Sequence, residues 1–153
     1  MPRRADCTTR RAMDMELVIP RAVHDAMMAH ALAEAPNECV GMLAGTSDGQ
    51  VLEHLPLVNA LADPRRFVTE GRSQLQAERR CRELGLQILA VYHSHPTSPP
   101  VPSRTDTDPE ENLWVGQPVA SVIISLLCTP PEVQVWWLEP HAYRPARWRI
   151  AGG

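Results

Sequence analysis

The chain of 153 residues has no lysine: all 15 of its basic side chains are arginine. That reads as a mark of genomic base composition rather than of function, and it leaves no lysine for isopeptide modification. There is no apolar run near the roughly 20 residues a membrane span requires; the longest, ASVIISLLC at 120–128, is only strand-length. The four cysteines, Cys7, Cys39, Cys81 and Cys128, form no C-x-x-C pair, which excludes a disulfide framework and a cysteine zinc site and fits a reducing cytosol. The last three are expected as buried thiols. The N-terminus lacks the apolar stretch of a secretory signal, so a cytoplasmic location is expected. Positive charge is outnumbered outside the first 14 residues. Those hold Arg3, Arg4, Arg10 and Arg11 against Asp6 and Asp14, so the net charge of −3 divides into +2 there and −5 elsewhere. An acidic body offers no basic groove for nucleic acid.

What is present is ordinary for one globular domain: 44% hydrophobic and 22% charged residues. Residues 1–14 read as a disordered basic tail, 15–150 as the domain and 151–153 as a disordered end. MELVIP (15–20) reads as a short strand. RAVHDAMMAHALAEA (21–35) spaces Val23, Met27 and Ala31 for an amphipathic helix that Pro36 stops. ECVGMLAG (38–45) and QVLEHLPLV (50–58), joined by TSDG, predict a hairpin. NALADPRRF (59–67) is irregular, and SQLQAERRCRELG (73–85) is a helix closed by glycine. QILAVYHSH (87–95) is an apolar strand. DPEENLW (108–114) carries a helix start, with Asp108 as N-cap, Pro109 at N1 and Glu111 at N3. VASVIISLL (119–127) and EVQVWWLE (132–139) predict two strands, and YRPARWRI (143–150) a last edge strand. The class is α/β (α+β), a mixed β-sheet flanked by helices, without internal repeats.

One stretch carries chemistry: YHSHPTSPPVPSRTD, residues 92–106. Strand side chains alternate faces, so His93 and His95 project together from the strand's end. Pro96 stops the strand, and the loop returns to Asp106. Two imidazole nitrogens and one carboxylate oxygen, with a fourth position left open, make a catalytic rather than a structural zinc site. Imidazole favours zinc over harder cations. Zinc acidifies water at neutral pH if a nearby base accepts the proton. Glu38, an acid at the mouth of the apolar CVGML strand, is the best candidate for that base, provided that its strand lies beside the histidine strand.

Blander readings exist for these residues. SRTD (103–106) also fits a capping box, with Ser103 as N-cap and Asp106 near N3. An isolated H-x-H pair is more often surface polarity than a metal site. The ordered set of two histidines, proline, serine and aspartate is much harder to reach by chance.

His93-Ser94-His95-Pro96, six residues, then Ser103-x-x-Asp106, with Glu38 upstream in E-x-x-G-x-L-x-G, resembles the motif of the JAMM (MPN+) metalloproteases, closest to the compact prokaryotic type. The likeness runs from about Met15 to Ile150. It implies a cytidine-deaminase-like JAMM/MPN domain that binds one zinc ion (Zn2+) per chain through His93, His95 and Asp106. Glu38 would be the general acid/base, and Ser103 would hydrogen-bond the developing oxyanion. Phe67, Val68 and Ser94 would contact the substrate, with NALADPRRFV adding the substrate's extended tail as a strand. The implied partner is a ubiquitin-like sulfur-carrier protein ending in Gly-Gly, with release of cysteine or tail trimming as the reaction. Neither nucleic acid nor membrane is implied, and a homodimer stays open. The short segment between Asp106 and Val119 leaves no room for the long insertion of the linkage-selective deubiquitinases.

The alternatives are an isopeptidase that removes such modifiers from lysines and, in a different class, a catalytically silent MPN scaffold. The intact set of five site residues speaks against the scaffold, and an open zinc position speaks against a purely structural metal. Gly152-Gly153 at the end of the chain reads as a disordered end, not a ubiquitin-like tail. His24 and His30, six apart, share no helical face, His54 and His141 lack partners at ligand spacing, and Trp114, Trp136 and Trp137 read as core or interface aromatics.

Overall fold

A computed structural model describes residues 14–152. The basic tail expected over residues 1–14 lies, apart from Asp14, outside the described residues, as does Gly153. Along the chain come β1 (Leu17–Pro20), α1 (Arg21–Glu34), β2 (Val40–Gly45), β3 (Val51–Leu57), α2 (Gly71–Leu84), β4 (Gln87–His95), β5 (Ala120–Ser125), β6 (Glu132–Glu139), β7 (Ala142–Pro145) and β8 (Trp148–Ala151). Six strands form one sheet in the order β3-β2-β4-β5-β6-β7. All neighbours are antiparallel except the central β4 and β5, which run parallel.

The strand alternation sorts the core into two clusters. Leu43, Ala90, Tyr92 and Ile124 pack with Met27 and Ala31 of α1 and with Leu17 and Ile19 of β1. Val40, Met42, Leu57 and Val91 pack with Ala77 of α2. The two helices thus cover opposite faces of the sheet, and each fully buried aliphatic side chain contributes about 1.5–3 kcal/mol relative to exposure. α2 ends as its sequence predicts. Gly85 takes φ 67°, a left-handed conformation that glycine adopts without steric cost, and Leu86 N–H donates to Cys81 O at 2.9 Å.

Four expectations need correction. YRPARWRI is not one edge strand. It splits at residues 146–147 into β7, which closes the main sheet, and β8, which pairs parallel with β1 in a separate two-stranded ribbon. Ala151 therefore belongs to β8 rather than to a disordered end. DPEENLW forms turns instead of a helix. The Asp108 carboxylate accepts Glu110 N–H at 2.9 Å as a cap would, but the single turn stops at Asn112, whose side-chain oxygen accepts Trp114 N–H. Cys128, expected as buried, is exposed beyond β5, while Cys39 and Cys81 are buried.

Candidate metal centre and active site

The open ends of β4 and β5 lie side by side, with His95 opposite Ser125, at the one parallel pair of the sheet. Loops leaving parallel strands at such a point are a usual place for a site. On the other flank, β2 runs antiparallel to β4 with Val40 opposite His93. Glu38 enters just before β2, in phase with Val40, so it comes up beside the histidine pair. The condition set by the sequence, that the glutamate strand lie beside the histidine strand, is met.

His93 Nε2, His95 Nε2 and Asp106 Oδ2 form a triangle with sides of 3.1, 3.2 and 3.1 Å. All three residues are buried. His95 Nδ1–H donates to the Pro99 carbonyl at 2.8 Å, which in the neutral ring leaves the Nε2 lone pair facing the triangle. Three electron-rich atoms converging out of water repel one another unless a proton or a cation sits among them. Tetrahedral zinc with ligand bonds of about 2.0–2.1 Å needs its ligand atoms about 3.3 Å apart, so the donor set fits. Glu38 reaches the same place: one of its carboxylate oxygens and a nitrogen of each histidine lie within 4.8 Å of one another, a grouping that could itself hold a metal ion. It is nearly fully buried, and its carboxylate makes none of the contacts within the triangle. Burial pushes its carboxyl up to about 7, with His93 pulling the other way. A base with a pKa near neutrality is well placed to take and return a proton.

The loop between the histidines and Asp106 is held at three successive carbonyls. Ser125 Oγ–H donates to Ser98 O at 2.7 Å, His95 to Pro99 O, and Trp136 Nε1–H to Pro100 O at 2.8 Å. At its far end Ser103 N–H donates to Asp106 Oδ2 at 2.9 Å, and Asp106 N–H to Ser103 Oγ at 3.2 Å. The capping box and the site are therefore one structure. It fixes the Asp106 carboxylate and leaves the hydroxyl proton of exposed Ser103 free to donate. Asn112 Nδ2–H holds the Asp106 carbonyl at 2.9 Å.

The other side of the site is fixed by Asn59. Its Nδ2 donates to Glu38 O and to Arg66 O, both at 3.0 Å, and its Oδ1 accepts Leu61 N–H and Val68 N–H. Glu38 N–H donates to Asp63 O at 2.9 Å. The irregular segment 59–69 is thereby tied to the backbone of the candidate base. Phe67, the only phenylalanine of the chain, lies over His93 with ring centroids 4.8 Å apart. It also borders a cavity of about 260 Å3 that includes Val68, Leu113 and Trp114. Both backbone groups of Val68 are engaged, with Asn59 and with Ala60 N–H, so Phe67 has the backbone free to alternate outward.

Ser94 does not play the part expected of it. It is fully buried, its Oγ accepts Cys39 N–H at 2.8 Å, and it locks β4 to the entry of β2 rather than lining a substrate path. Asn59, Asn112, Ser125 and Trp136 were not singled out as site residues. Trp136 is marked in the sequence only as an amphipathic residue next to apolar ones. A second group missed by the sequence lies behind β4, where the buried Tyr92 hydroxyl meets His30 Nδ1 at 2.6 Å and His54 Nε2 at 2.7 Å.

Glu38, His93 and His95 form a group that could hold a metal ion, and Asp106 stands against both histidines. The family model "Prokaryotic homologs of the JAB domain" matches residues 20–139, and the chain belongs to that family. It is 34% identical over 141 residues, 90% of this chain and 84% of the relative, to the CysO-cysteine peptidase of Mycobacterium tuberculosis. It is 37% identical over 99 residues to the "Probable TtuB-protein conjugate cleaving protease" of Thermus thermophilus, a match that spans 64% of each chain. A protein from Desulfitobacterium hafniense, solved in solution, superposes with a TM-score of 0.79 at 26% identity, covering 90% of this chain and 94% of that one. Among the described residues no helix is long and apolar enough to cross a membrane.

Proposed function

We propose that the chain is a zinc-dependent peptidase that hydrolyses the amide bond after the C-terminal Gly-Gly of a ubiquitin-like sulfur-carrier protein. The observation that carries this reading is the His93–His95–Asp106 triangle with the Glu38 carboxylate within reach of both imidazoles. His93, His95 and Asp106 would hold the zinc ion. When bound, zinc supplies Lewis acidity, which lowers the pKa of a water molecule and polarises a carbonyl. Glu38 takes the proton from the attacking water and returns it to the leaving amine, for which a pKa near neutrality suits it. Ser103 donates its free hydroxyl proton to the oxygen on which negative charge develops. The carrier's tail lies along segment 59–69, pairing through Phe67, and its glycines allow close passage beneath that ring.

The peptidase relative from Mycobacterium tuberculosis supports a carrier extended by one residue; the conjugate-cleaving relative from Thermus thermophilus supports a second reading, deconjugation from lysine. One experiment separates them. The zinc-loaded protein is incubated with a Gly-Gly-ended carrier extended by cysteine and with the same carrier joined to a lysine ε-amine, and the masses are read. Cleavage of the first alone supports the peptidase; cleavage of the second supports deconjugation. Cleavage of neither, with zinc bound, makes the chain a silent scaffold.

A further inference from the structure

Beyond the triangle a cleft of about 360 Å3 opens to solvent. Its lining includes Glu38, His95 and Ser103 together with Arg65 and Arg104. It shares no lining residue with the Phe67 cavity, so with the tail running past Phe67 it is the space left for the leaving group.

The two arginines are unmatched there. Their neighbour Arg66 is neutralised, with Nη2 on Glu111 at 3.1 Å. Among the described residues no carboxylate lies within ion-pair distance of Arg65 or Arg104. The nearest acid in sequence, Asp63, accepts the backbone N–H of Arg65 at 2.8 Å, which fixes the turn carrying Arg65. Arg104 stands inside the capped turn between Ser103 and Asp106, so its backbone is fixed as well. Glu38 is the one acid lining the cleft, and it is buried at its floor.

Two guanidinium groups on fixed backbones beside a scissile bond suit a carboxylate, which guanidinium recognises through paired charge-assisted hydrogen bonds. We propose that Arg65 and Arg104 bind the free α-carboxylate of a single amino acid leaving the carrier. They would thereby set the specificity of the site for one-residue linear extensions over isopeptides. This rests on the peptidase reading above. In a one-residue extension the carboxylate is two bonds from the scissile nitrogen. In an isopeptide the leaving nitrogen carries a lysine's methylene chain, and no carboxylate stands at that distance. The chemistry balances without a further reactant. Water adds its oxygen to the glycine carbonyl carbon, the C–N bond breaks, and the proton held by Glu38 passes to the nitrogen. The products are the Gly-Gly carboxylate and a free amino acid paired with the arginines.

The test uses three probes made on one Gly-Gly-ended ubiquitin-like carrier: extension by a single alanine as the free acid, the same extension as the C-terminal amide, and a lysine ε-amine conjugate. The zinc-loaded wild type should cleave the acid at least about tenfold faster than the amide, and the R65Q/R104Q double variant should lose that preference while still cleaving the amide. Binding to the Glu38→Gln variant, followed by calorimetry, gives a readout without turnover. There the acid probe should bind about tenfold tighter than the amide, and adding R65Q/R104Q should equalise them. Equal cleavage and equal binding of acid and amide by the unsubstituted arginine pair would overturn the inference and leave the peptidase reading standing. So would a preference that survives R65Q/R104Q. Cleavage of none of the three by folded, zinc-loaded protein overturns both. Both arginines are exposed, so the double variant is expected to keep its fold.

Discussion

Val40 of β2 stands directly opposite His93 of β4 in an antiparallel pair. That one register brings Glu38, two residues upstream of Val40, to the mouth of a site whose histidines lie more than fifty residues later. A slip of one residue would turn either the histidines or the glutamate to the other face of the sheet. The site therefore depends on the packing that fixes this pair, and much of that packing lies behind it.

Metal content is the first consequence. His95→Ala removes one corner of the triangle and should leave purified protein with far less than one zinc per chain. Glu38→Gln leaves the triangle whole and should keep it. Elemental analysis of both variants after identical dialysis checks the assignment, and loss of zinc from Glu38→Gln would move Glu38 into the ligand set.

Trp136 anchors the loop next to the carbonyl that orients His95. Trp136→Phe deletes its hydrogen bond to Pro100 O while keeping an aromatic ring. Partners of this kind around a metal site are worth about 10–100-fold in metal affinity or activity. Because Trp136 acts one step further out, a loss near the lower end is expected, measured as kcat/KM together with a zinc competition titration.

Gly41 has no room for a side chain. A methyl group there would lie 2.3 Å from the Tyr92 ring, which packs over the glycine with its hydroxyl between His30 and His54. Gly41→Ala must push that ring aside and should cost about 1–3 kcal/mol as overpacking. For a domain of this size that lowers Tm by several degrees, readable by differential scanning calorimetry.

The same cluster predicts a pH dependence of stability. Burial lowers the pKa of His54 to about 4, with His30 adding to the effect, from an ordinary value near 6.5. Between those values the unfolded chain binds the proton that the folded one excludes, so stability rises with pH across this window. The contribution is complete above about pH 6.5 and is lost as pH falls toward 4. Urea unfolding at several pH values should give a shallower pH slope for His54→Gln than for wild type; equal slopes would remove His54 from the account.

Much of this was legible in the sequence because it was local. The β2–β3 hairpin follows from two apolar runs around TSDG, α2 from its periodicity and Gly85, and the His93–His95–Asp106 triangle from fourteen consecutive residues whose spacing is itself the signal. What was not legible depends on distant pairing. Nothing in LVIP or WRIA says that the first and last strands lie together, and both are too short for their composition to choose a partner. DPEENLW reads as a helix because its cap is genuine; its failure to propagate reflects Asn112, whose side chain is spent on Asp106 and Trp114. The histidines His30 and His54 lack partners in sequence because their partner, Tyr92, comes from a third element. Ser94 sits inside the motif yet faces away from the site, as alternation along β4 requires of a residue between His93 and His95.

The central claim is that Glu38 moves the proton for an amide hydrolysis at the His93–His95–Asp106 centre. Its most direct test is the intact mass of a Gly-Gly-ended carrier extended by cysteine, followed over time with zinc-loaded wild type and with zinc-loaded Glu38→Gln. The cysteine mass should be lost with wild type, at a rate about 100- to 10,000-fold lower with the variant at equal zinc content. Equal rates would contradict the claim.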